Sequence, residues 1–394
     1  MKNTFVPTKW TLVFLLFAAM LTLMGGAAVA PALPLISEVF SDAPEFLISM
    51  IITLPSLAVA CTGYVIGVAC DKFGRRPVLL ASLAIFAVAG SAGFYLDSLW
   101  AILLSRVILG VGIAGLTTAT TALITEYYTG ASRVKVLGYQ SAAMGFGILL
   151  LETCGGTLAE ISWREPFLIY LVAFVIMIGV IFAVKEPERE PRRSLRDNSV
   201  KLNMKALLPI YISIFIGMVI AFLMPTKLPY LIAQVGSVSL TGTGLLLGLM
   251  GCCSALAGIF YGRIAARMLR MQVMFLCFLA VGIGCCMLGF ATSVAAIALA
   301  VVFTGFGQGA LIPTIVNWIS DEAPVRAMGK ATGIFSMALN LGQFASSLAV
   351  IPILVMVGSY SNLFLAAGVF GMLVACAYAV AWRRERRAVT QVAR

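Results

Sequence analysis

Long apolar segments, broken at charged residues, Pro/Gly clusters and polar runs, make up most of the chain. Each segment is long enough for a helix to cross a bilayer. The twelve predicted spans are 10–37, 46–69, 78–96, 99–125, 133–158, 164–184, 206–234, 240–262, 272–290, 293–318, 330–357 and 361–382. None shows the alternating ten-residue pattern of a transmembrane barrel. The pattern therefore predicts an all-α integral membrane protein.

The longest polar stretch, residues 185–205, divides the chain near its middle. It contains Pro187, Pro191 and seven Lys or Arg residues, a composition typical of a linker. The predicted organisation is an N-terminal six-helix half (1–184), a cytoplasmic linker (185–205), a C-terminal six-helix half (206–382) and a basic tail (383–394).

An internal repeat relates the two halves at a fixed offset of 195 residues. The matches concentrate in glycine and proline, which set backbone geometry. They include Pro34 with Pro229, Gly110 with Gly305, Gly112 with Gly307, Gly147 with Gly342 and Arg75 with Arg270, and Glu126 falls on Asp321. Parallel repeats related by an axis along the membrane normal are a transporter architecture. The repeat therefore predicts a pseudo-twofold arrangement with a central cavity that opens alternately to each side.

The composition supports the same class of protein. Hydrophobic residues make up 61% of the chain and charged residues 11%, against roughly 25% charged in soluble domains. A soluble enzyme, a nucleic-acid-binding domain and a disordered chain are thereby excluded. The absence of histidine excludes His-based metal sites, and we expect no metal and no cofactor. The nine cysteines fall in or beside apolar segments and are interpreted as buried small hydrophobes.

The net charge of +11 is explained by position. Of the 27 Lys and Arg residues, 24 fall on one side of the predicted membrane, which the positive-inside rule makes cytoplasmic. This predicts cytoplasmic termini in the inner or plasma membrane of a prokaryote, and no nucleic-acid partner. Three basic residues lie outside these cytoplasmic loops and termini: Arg106, Arg164 and Lys227.

A run of glycines and charges joins the second and third spans. It consists of Gly63, Gly67, Asp71, Gly74, Arg75 and Arg76. The run resembles the cytoplasmic G-x-x-x-D-[RK]-x-G-R-[RK] signature of the major facilitator superfamily, and the twelve spans resemble that family's six-plus-six layout. The resemblance implies that Asp71, with Arg75, contacts the start of span 11 near Met328–Thr332 and closes the inward gate. Gly63 and Gly67 share a helix face, which is expected to admit another helix closely.

Span 5 resembles the drug:proton antiporter branch of that family, whose motif is G-x8-G-x3-G-P-x2-G-G. Four glycines match: Gly138, Gly147, Gly155 and Gly156. Leu151 and Glu152 replace the Gly-Pro pair, so an acid stands where the family has a kink.

Glu152 is the only acid well inside a predicted span, and Arg106 is a base inside span 4. At ~1.5 Å per residue both lie about 10 Å below the outer surface. Buried charges are costly, so an ion pair or a shared water pocket is expected. We interpret Glu152, with Arg106, as the proton-coupling site. The alternative is a structural glutamate paired permanently with Arg106.

If the family layout holds, polar and bulky residues of several spans line the cavity. The candidates are Thr117, Thr121, Gln140, Phe222, Gln308, Asn317, Asn340 and Gln343. Taken singly, each also suits helix–helix packing. Pro31 with Pro34, and Pro225 with Pro229, are predicted to interrupt spans 1 and 7 at corresponding positions.

The predicted function is secondary active transport, with proton-coupled efflux of small amphipathic molecules or drugs by alternating access. Uptake or exchange of a small metabolite is the alternative. A membrane enzyme is disfavoured because no histidine and no clustered nucleophile–base set are present. The expected partners are a small-molecule substrate and the lipid bilayer, and the resemblance implies a monomer.

Overall fold

The computed structural model describes residues 7–22, 24–187, 202–236, 238–324 and 327–392, and these ranges contain helices and no strand. Within these ranges, eleven helices are long and apolar enough to cross a membrane, and there are twelve spans if a bent pair near the N-terminus is counted as one. The predicted fold class is confirmed. Most of the predicted linker, residues 188–201, lies outside the described residues, as do residues 1–6 and 393–394, whereas residues 383–392 of the predicted basic tail continue the last helix.

The helices follow the predicted spans closely. Span 1 comprises Lys9–Leu21, Met24–Ala27, a 3-10 turn at Ala30–Ala32, and Leu33–Val39. Spans 2 to 6 are Glu45–Phe73, Arg75–Tyr95, Leu99–Tyr127, Gly130–Ala159, and a 3-10 segment Glu165–Leu171 followed by Val172–Ala183. Spans 7 to 12 are Met204–Ala221 with Leu223–Val235, then Leu240–Ala265, Arg270–Gly289, Val294–Glu322, Met328–Val357 and Tyr360–Val392.

The chain forms two compact units. One consists of Met1–Arg196 with Ser239–Leu245, and the other of Asp197–Val238 with Leu246–Arg394. The first turn of span 8 therefore groups with the first six spans, although the rest of that span belongs to the second unit.

The sequence repeat is reproduced in the packing of each unit. A Cβ on each of several glycines would come within 2.4–3.1 Å of a specific neighbour, and the neighbours also differ by 195 residues. The contacts are Gly110 with Pro55 and Gly305 with Met250, Gly112 with Phe86 and Gly307 with Val281, and Gly147 with Met20 and Gly342 with Phe215. Because glycine allows backbones to approach closely, the same helix pairs are fixed in the same way in both units.

The expected close approach at Gly63 and Gly67 is wrong. A Cβ at either position would meet no atom of the described residues within 4 Å. Span 2 packs against span 4 through a different surface, where Gly110 faces the Pro55 carbonyl. Spacing of four residues places two glycines on one face of a helix, but it does not determine which face packs.

Spans 1 and 7 are both interrupted, as predicted. The two parts of span 1 meet at a bend of 47°. Span 7 breaks at Phe222, three residues before Pro225. Proline has no N–H for the carbonyl four residues earlier, which here belongs to Ala221, the last residue of the first segment. Pro31 acts in the same way on Ala27, where a short helix of span 1 ends.

The cysteines depart from the expectation in part. All nine are free thiols. Cys70, Cys253, Cys277 and Cys285 are buried, but Cys61, Cys154 and Cys376 are exposed. A surface that faces lipid accepts a small apolar side chain without burying it in protein, so apolar sequence context alone does not predict burial here.

Candidate functional site

A cluster of charges surrounds the turn between spans 2 and 3. Gly74 ends span 2 and precedes span 3 with φ 108°, a conformation that favours glycine. The turn allows Arg75 to reach back, and its Nη2 lies 3.2 Å from Oδ1 of Asp71. The Asp71 side chain is 61% exposed and that of Arg75 only 11%. Asp71 is therefore accessible while Arg75 is held inside the cluster.

Arg75 connects three helices. Its Nε lies 2.9 Å from Oε1 of Glu126 at the end of span 4. Its Nη1 donates to the carbonyl oxygen of Cys70 at 3.3 Å. The contact with Glu126 is an ion pair without hydrogen-bond geometry, whereas the contact with Cys70 is a charge-assisted hydrogen bond, which is stronger than a neutral one. Arg75 therefore acts as the hub of the first unit's charge cluster.

Glu186, which the sequence analysis did not single out, completes this cluster. Its two carboxylate oxygens accept hydrogen bonds from the backbone N–H groups of Arg75 at 2.8 Å and Arg76 at 2.7 Å. These N–H groups belong to the first turn of span 3, where the helix dipole favours an anion. The Arg76 guanidinium donates to the carbonyl of Ile181 at 2.8 Å. The ends of spans 3 and 6 are thereby tied together.

The second unit carries a reduced copy of the cluster. Arg270 corresponds to Arg75, and its Nη1 lies 3.4 Å from Asp321 and 3.8 Å from Glu322. The guanidinium also lies over the Trp318 ring at 5.5 Å. The two matched positions of the sequence repeat, Arg with an acid at the end of span 4 or 10, thus form equivalent ion pairs.

Glu152 lies inside a tightly packed stretch of span 5 and is 4% exposed. Glycines surround it: Gly155 faces the Ala28 carbonyl of span 1, and Gly156 faces Leu240 at the start of span 8. Gly244 in turn leaves room for the Glu152 backbone. Oε2 of Glu152 is buried, and no hydrogen-bond partner for it is found in the described part of the chain.

Arg106 does not pair with Glu152, so the expected direct ion pair is wrong for this structure. The fully buried Arg106 guanidinium donates to the carbonyls of Gly90 at 2.6 Å and Ala89 at 3.4 Å. It also lies 4.9 Å from the Phe167 ring centre and 5.1 Å from that of Tyr170. Equal depth in the membrane does not determine direction around the helix axis, and Arg106 faces spans 3 and 6.

Glycines make the Arg106 site possible. A Cβ at Gly90 would overlap the Tyr170 side chain, and one at Gly93 would overlap Phe167. The two rings can therefore lie close to span 3 and cover the guanidinium, which gains cation–π contact.

The predicted cavity residues fall into two groups. In the first unit, Thr117 and Thr121 are exposed and Gln140 is half-buried. In the second unit, Asn317 is exposed and its amide donates to the Tyr261 hydroxyl at 3.0 Å. Phe222 lies at the break of span 7.

The other three candidates differ in the hydrogen-bond partners of their side-chain amides. Asn340 donates to the Ser336 carbonyl of its own helix at 2.8 Å. The Gln343 amide lies 3.9 Å from the Met218 sulfur. Nε2 of Gln308 is buried and has no hydrogen-bond partner within the described ranges.

Lys227 is a buried base. The charge pattern of the sequence singled it out, but no role was predicted for it. It is 1% exposed, in the second segment of span 7. Its Nζ lies 5.5 Å from the centre of the Tyr230 ring, which stacks on Tyr360. Arg164, the third leftover base, pairs with Asp97 at the membrane boundary.

The ends of spans 5 and 8 are joined by polar contacts within the first unit. Oε1 of Glu160 accepts the Thr241 backbone N–H at 3.0 Å, and the hydroxyls of Thr157 and Thr241 are 3.2 Å apart. The hydrogen bond from the Thr241 N–H lowers the pKa of the Glu160 carboxyl.

Two repeated units of apolar helices, with a charge cluster at the end of each and few polar groups inside, define a membrane transporter. A family model described as Major Facilitator Superfamily matches residues 15–230 and 210–394. The chain belongs to the major facilitator superfamily. Membership confirms the predicted resemblance and the class of transporter in place of enzyme.

Among similar proteins, tetracycline resistance protein, class B, of Escherichia coli is 27% identical over 356 residues, 84% of each chain. The class D protein of Salmonella ordonez is 26% identical over 348 residues, 85% of this chain and 87% of its own. Multidrug resistance protein 1 of Bacillus subtilis (strain 168) is 32% identical over 123 residues, and this match spans only 31% of each chain.

Solved structures confirm the fold. A D-xylose-proton symporter superposes with a TM-score of 0.76 at 18% identity, covering 94% of this chain and 96% of its own. The nucleoside transporter NupG superposes with a TM-score of 0.78 at 12% identity, covering 94% and 99%. At such identities the likeness concerns architecture and not cargo.

Proposed function

We propose that this chain is a proton-coupled exporter of small amphipathic compounds, drugs among them. It acts by alternating access as a monomer in the cell membrane of a prokaryote, with both termini cytoplasmic and the proton as coupling ion. The observation that carries the proposal is the burial of Glu152, a single carboxyl inside span 5 with an unpartnered oxygen.

A lone buried carboxyl suits proton exchange. An ionised carboxylate far from water and from a cation is strongly disfavoured, so its charge depends on access to water. Arg106 is engaged by carbonyls and rings in spans 3 and 6, which leaves Glu152 without that cation. A carboxyl of this kind takes up a proton from water on one side of the membrane, stays neutral while the site is closed, and releases the proton when water from the other side reaches it.

The direction and the cargo class rest on the relatives. Two matches covering more than four fifths of the chain are named for tetracycline resistance, and a shorter match is named for multidrug resistance. A chain with 61% hydrophobic residues and few interior charges is also suited to amphipathic cargo.

In this proposal, the cluster of Asp71, Arg75, Glu126 and Glu186 is the gating element. Arg75 and Glu126 tie the ends of spans 2, 3 and 4, while exposed Asp71 remains able to bind another element. Arg106 is assigned a positioning role, since it fixes span 4 to spans 3 and 6. Thr117, Thr121, Gln140, Phe222, Asn317, Asn340 and Gln343 stay candidates for the cavity lining.

The test uses purified protein in proteoliposomes with tetracycline and ethidium as cargo. Under an imposed pH gradient, wild type should accumulate cargo. Glu152→Gln should lose at least tenfold of this accumulation yet retain downhill exchange, and Glu152→Asp should keep part of the coupling. The control is Glu38→Gln, which neutralises an exposed acid of span 1 and should behave as wild type. Accumulation by Glu152→Gln at the wild-type level would show that Glu152 is structural.

A further inference from the structure

Span 12 continues well beyond the length that a membrane requires. The stretch Tyr360–Arg383 is long and apolar enough to cross a bilayer, yet the helix continues to Val392. At ~1.5 Å per residue its 33 residues extend about 50 Å, against about 30 Å for the hydrocarbon core. The end of the helix, residues 384–392, is therefore expected to lie among the lipid headgroups or beyond them.

Four arginines follow Trp382 at the point where span 12 leaves the apolar stretch. They are Arg383, Arg384, Arg386 and Arg387. Since successive helix positions differ by about 100°, the four positions fall within an arc of about 160°. Glu385, the acid between them, falls roughly opposite Arg383. The bases thus share one side of the helix and the acid has the other.

Aromatic packing places this group of arginines beside the start of span 9. The ring of Trp382 stacks on that of Phe275, with centroids 6.1 Å apart and planes inclined by 19°. One turn earlier, Tyr378 stacks on Phe278 at 5.6 Å, and the Tyr378 hydroxyl contacts that of Ser213 in span 7. The ends of spans 9 and 12 are therefore held side by side, close to span 7.

The neighbouring loops of the second unit add to the positive charge. From residue 246 to residue 392, nine Lys and Arg residues stand against three Asp and Glu, all at the same end of the helices. The bases outside span 12 are Arg263, Arg267, Arg270, Arg326 and Lys330. Two of the acids, Asp321 and Glu322, lie 3.4 and 3.8 Å from Arg270. Arg263, Arg267 and Arg383 are exposed. The surface thus carries an accessible excess of positive charge.

We propose that the end of span 12, with the turn that precedes span 9, binds the phosphate headgroups of anionic phospholipids in the leaflet at which span 12 ends. Guanidinium groups match phosphate oxygens in geometry and charge. Arg383 is the last residue of the apolar stretch, so its position coincides with the headgroup layer. Each base near an anionic surface strengthens attraction about fivefold. The position at the bilayer surface favours lipid over a soluble acidic partner, and the proposal does not depend on cargo or proton coupling.

Quenching of tryptophan fluorescence by brominated lipid tests the proposal, because Trp382 lies directly before the arginines. The full-length protein is reconstituted in phosphatidylcholine vesicles that contain a small fraction of brominated phosphatidylglycerol or of brominated phosphatidylcholine. The Trp382 signal is the difference between wild type and Trp382→Phe. In wild type, brominated phosphatidylglycerol should quench this signal as if enriched about tenfold. Salt at about 0.5 M should remove most of the enrichment, because it screens exposed charges.

Paired substitutions separate this surface from the net charge of the protein. Arg383→Gln with Arg387→Gln removes two charges from one face of the helix, and the enrichment should fall at least about fivefold. Arg383→Lys with Arg387→Lys keeps the charge and should retain most of the enrichment. The control, Lys9→Gln with Lys135→Gln, removes two exposed charges from the first unit and should leave the enrichment unchanged.

Several results would overturn the proposal. They are equal quenching by the two brominated lipids in wild type, an unchanged enrichment in the glutamine pair of span 12, and an equal loss in the control pair, which would mean attraction by net charge alone. Binding of polyglutamate that depends on Arg383 and Arg387, without lipid enrichment, would assign the surface to an acidic protein instead. The comparison of the two lipids in wild type decides the matter even where a variant does not fold.

Discussion

Replacement of Glu186 tests whether the end of span 6 holds the start of span 3. The carboxylate accepts two backbone hydrogen bonds, at 2.8 Å from Arg75 and 2.7 Å from Arg76. Loss of a helix-capping side chain typically costs about 0.5–2 kcal/mol, and a favourable charge at a helix N-terminus adds about 0.3–1 kcal/mol. Since Glu186 is half-buried, the discount for solvent is moderate, and Glu186→Ala should lower the free energy of unfolding by about 2 kcal/mol.

Glu186→Gln separates the two contributions. The amide keeps one acceptor oxygen but loses the charge and the second hydrogen bond, so about half of the destabilisation is expected. The measurement is thermal and denaturant unfolding of the purified full-length protein in detergent. A matched control exists in the second unit, where Glu322 lies 3.8 Å from Arg270 and accepts no backbone hydrogen bond in the described residues. Glu322→Gln should change stability by less than about 0.5 kcal/mol.

The result that would refute this reasoning is equal stability of Glu186→Ala and Glu322→Gln. It would mean that the first turn of span 3 finds equivalent partners, such as water, once the carboxylate is removed. The same destabilisation in Glu186→Gln and Glu186→Ala would instead show that the charge and the second hydrogen bond, which both substitutions remove, account for the whole contribution.

Three further substitutions address the other charged groups. Asp71→Asn should strongly reduce transport at unchanged unfolding temperature, because it removes the exposed charge of the gating cluster; normal transport would contradict this. Arg106→Gln should leave the pH dependence of transport per folded molecule unchanged, since its contacts do not reach Glu152; a shifted profile would contradict this. Glu160→Gln tests the lowered pKa of Glu160: the contribution of the wild-type contact is fully present above the ordinary pKa of about 4.3 and is lost as pH falls through the lowered pKa of the folded state, so the protection of the Thr241 amide against hydrogen exchange, relative to its intrinsic rate at each pH, should fall at acidic pH in wild type only.

The features that could be predicted from the sequence are those that depend only on where a residue lies along the chain. Span positions follow from apolar length, and the repeat follows from glycine spacing. The same offset of 195 residues matches Arg75 with Arg270 and Glu126 with Asp321, and the structure adds that the base and the acid form an ion pair in each half. Because the two halves have the same fold, residues that correspond in the sequence repeat also occupy corresponding positions in the two units.

The features that sequence did not predict depend on direction around a helix axis or on loops. Arg106 and Glu152 lie at similar depth, yet Arg106 faces Gly90 and the ring of Tyr170. Gly63 and Gly67 lie on a face without a close neighbour. Glu186 was overlooked because it follows span 6 in a basic segment, where an acid has no periodic pattern to identify it. An acid at a span end, opposite the start of another span, is the signal that could have found it.

The two charge clusters differ in their acids and in the exposure of their central arginine. Position 71 is an aspartate in the first half, and the equivalent position in the second half is Ala266. Position 186 is a glutamate, and its equivalent is Ala381. Arg75 is 11% exposed at the centre of its contacts, whereas Arg270 is 35% exposed with partners at 3.4 and 3.8 Å. A loose, solvated pair contributes little and is easily rearranged, while a buried hub holds helix ends in fixed relation. The repeat thus supplied the same framework twice, and two acids present only in the first copy, Asp71 and Glu186, add contacts that make its cluster the more rigid one.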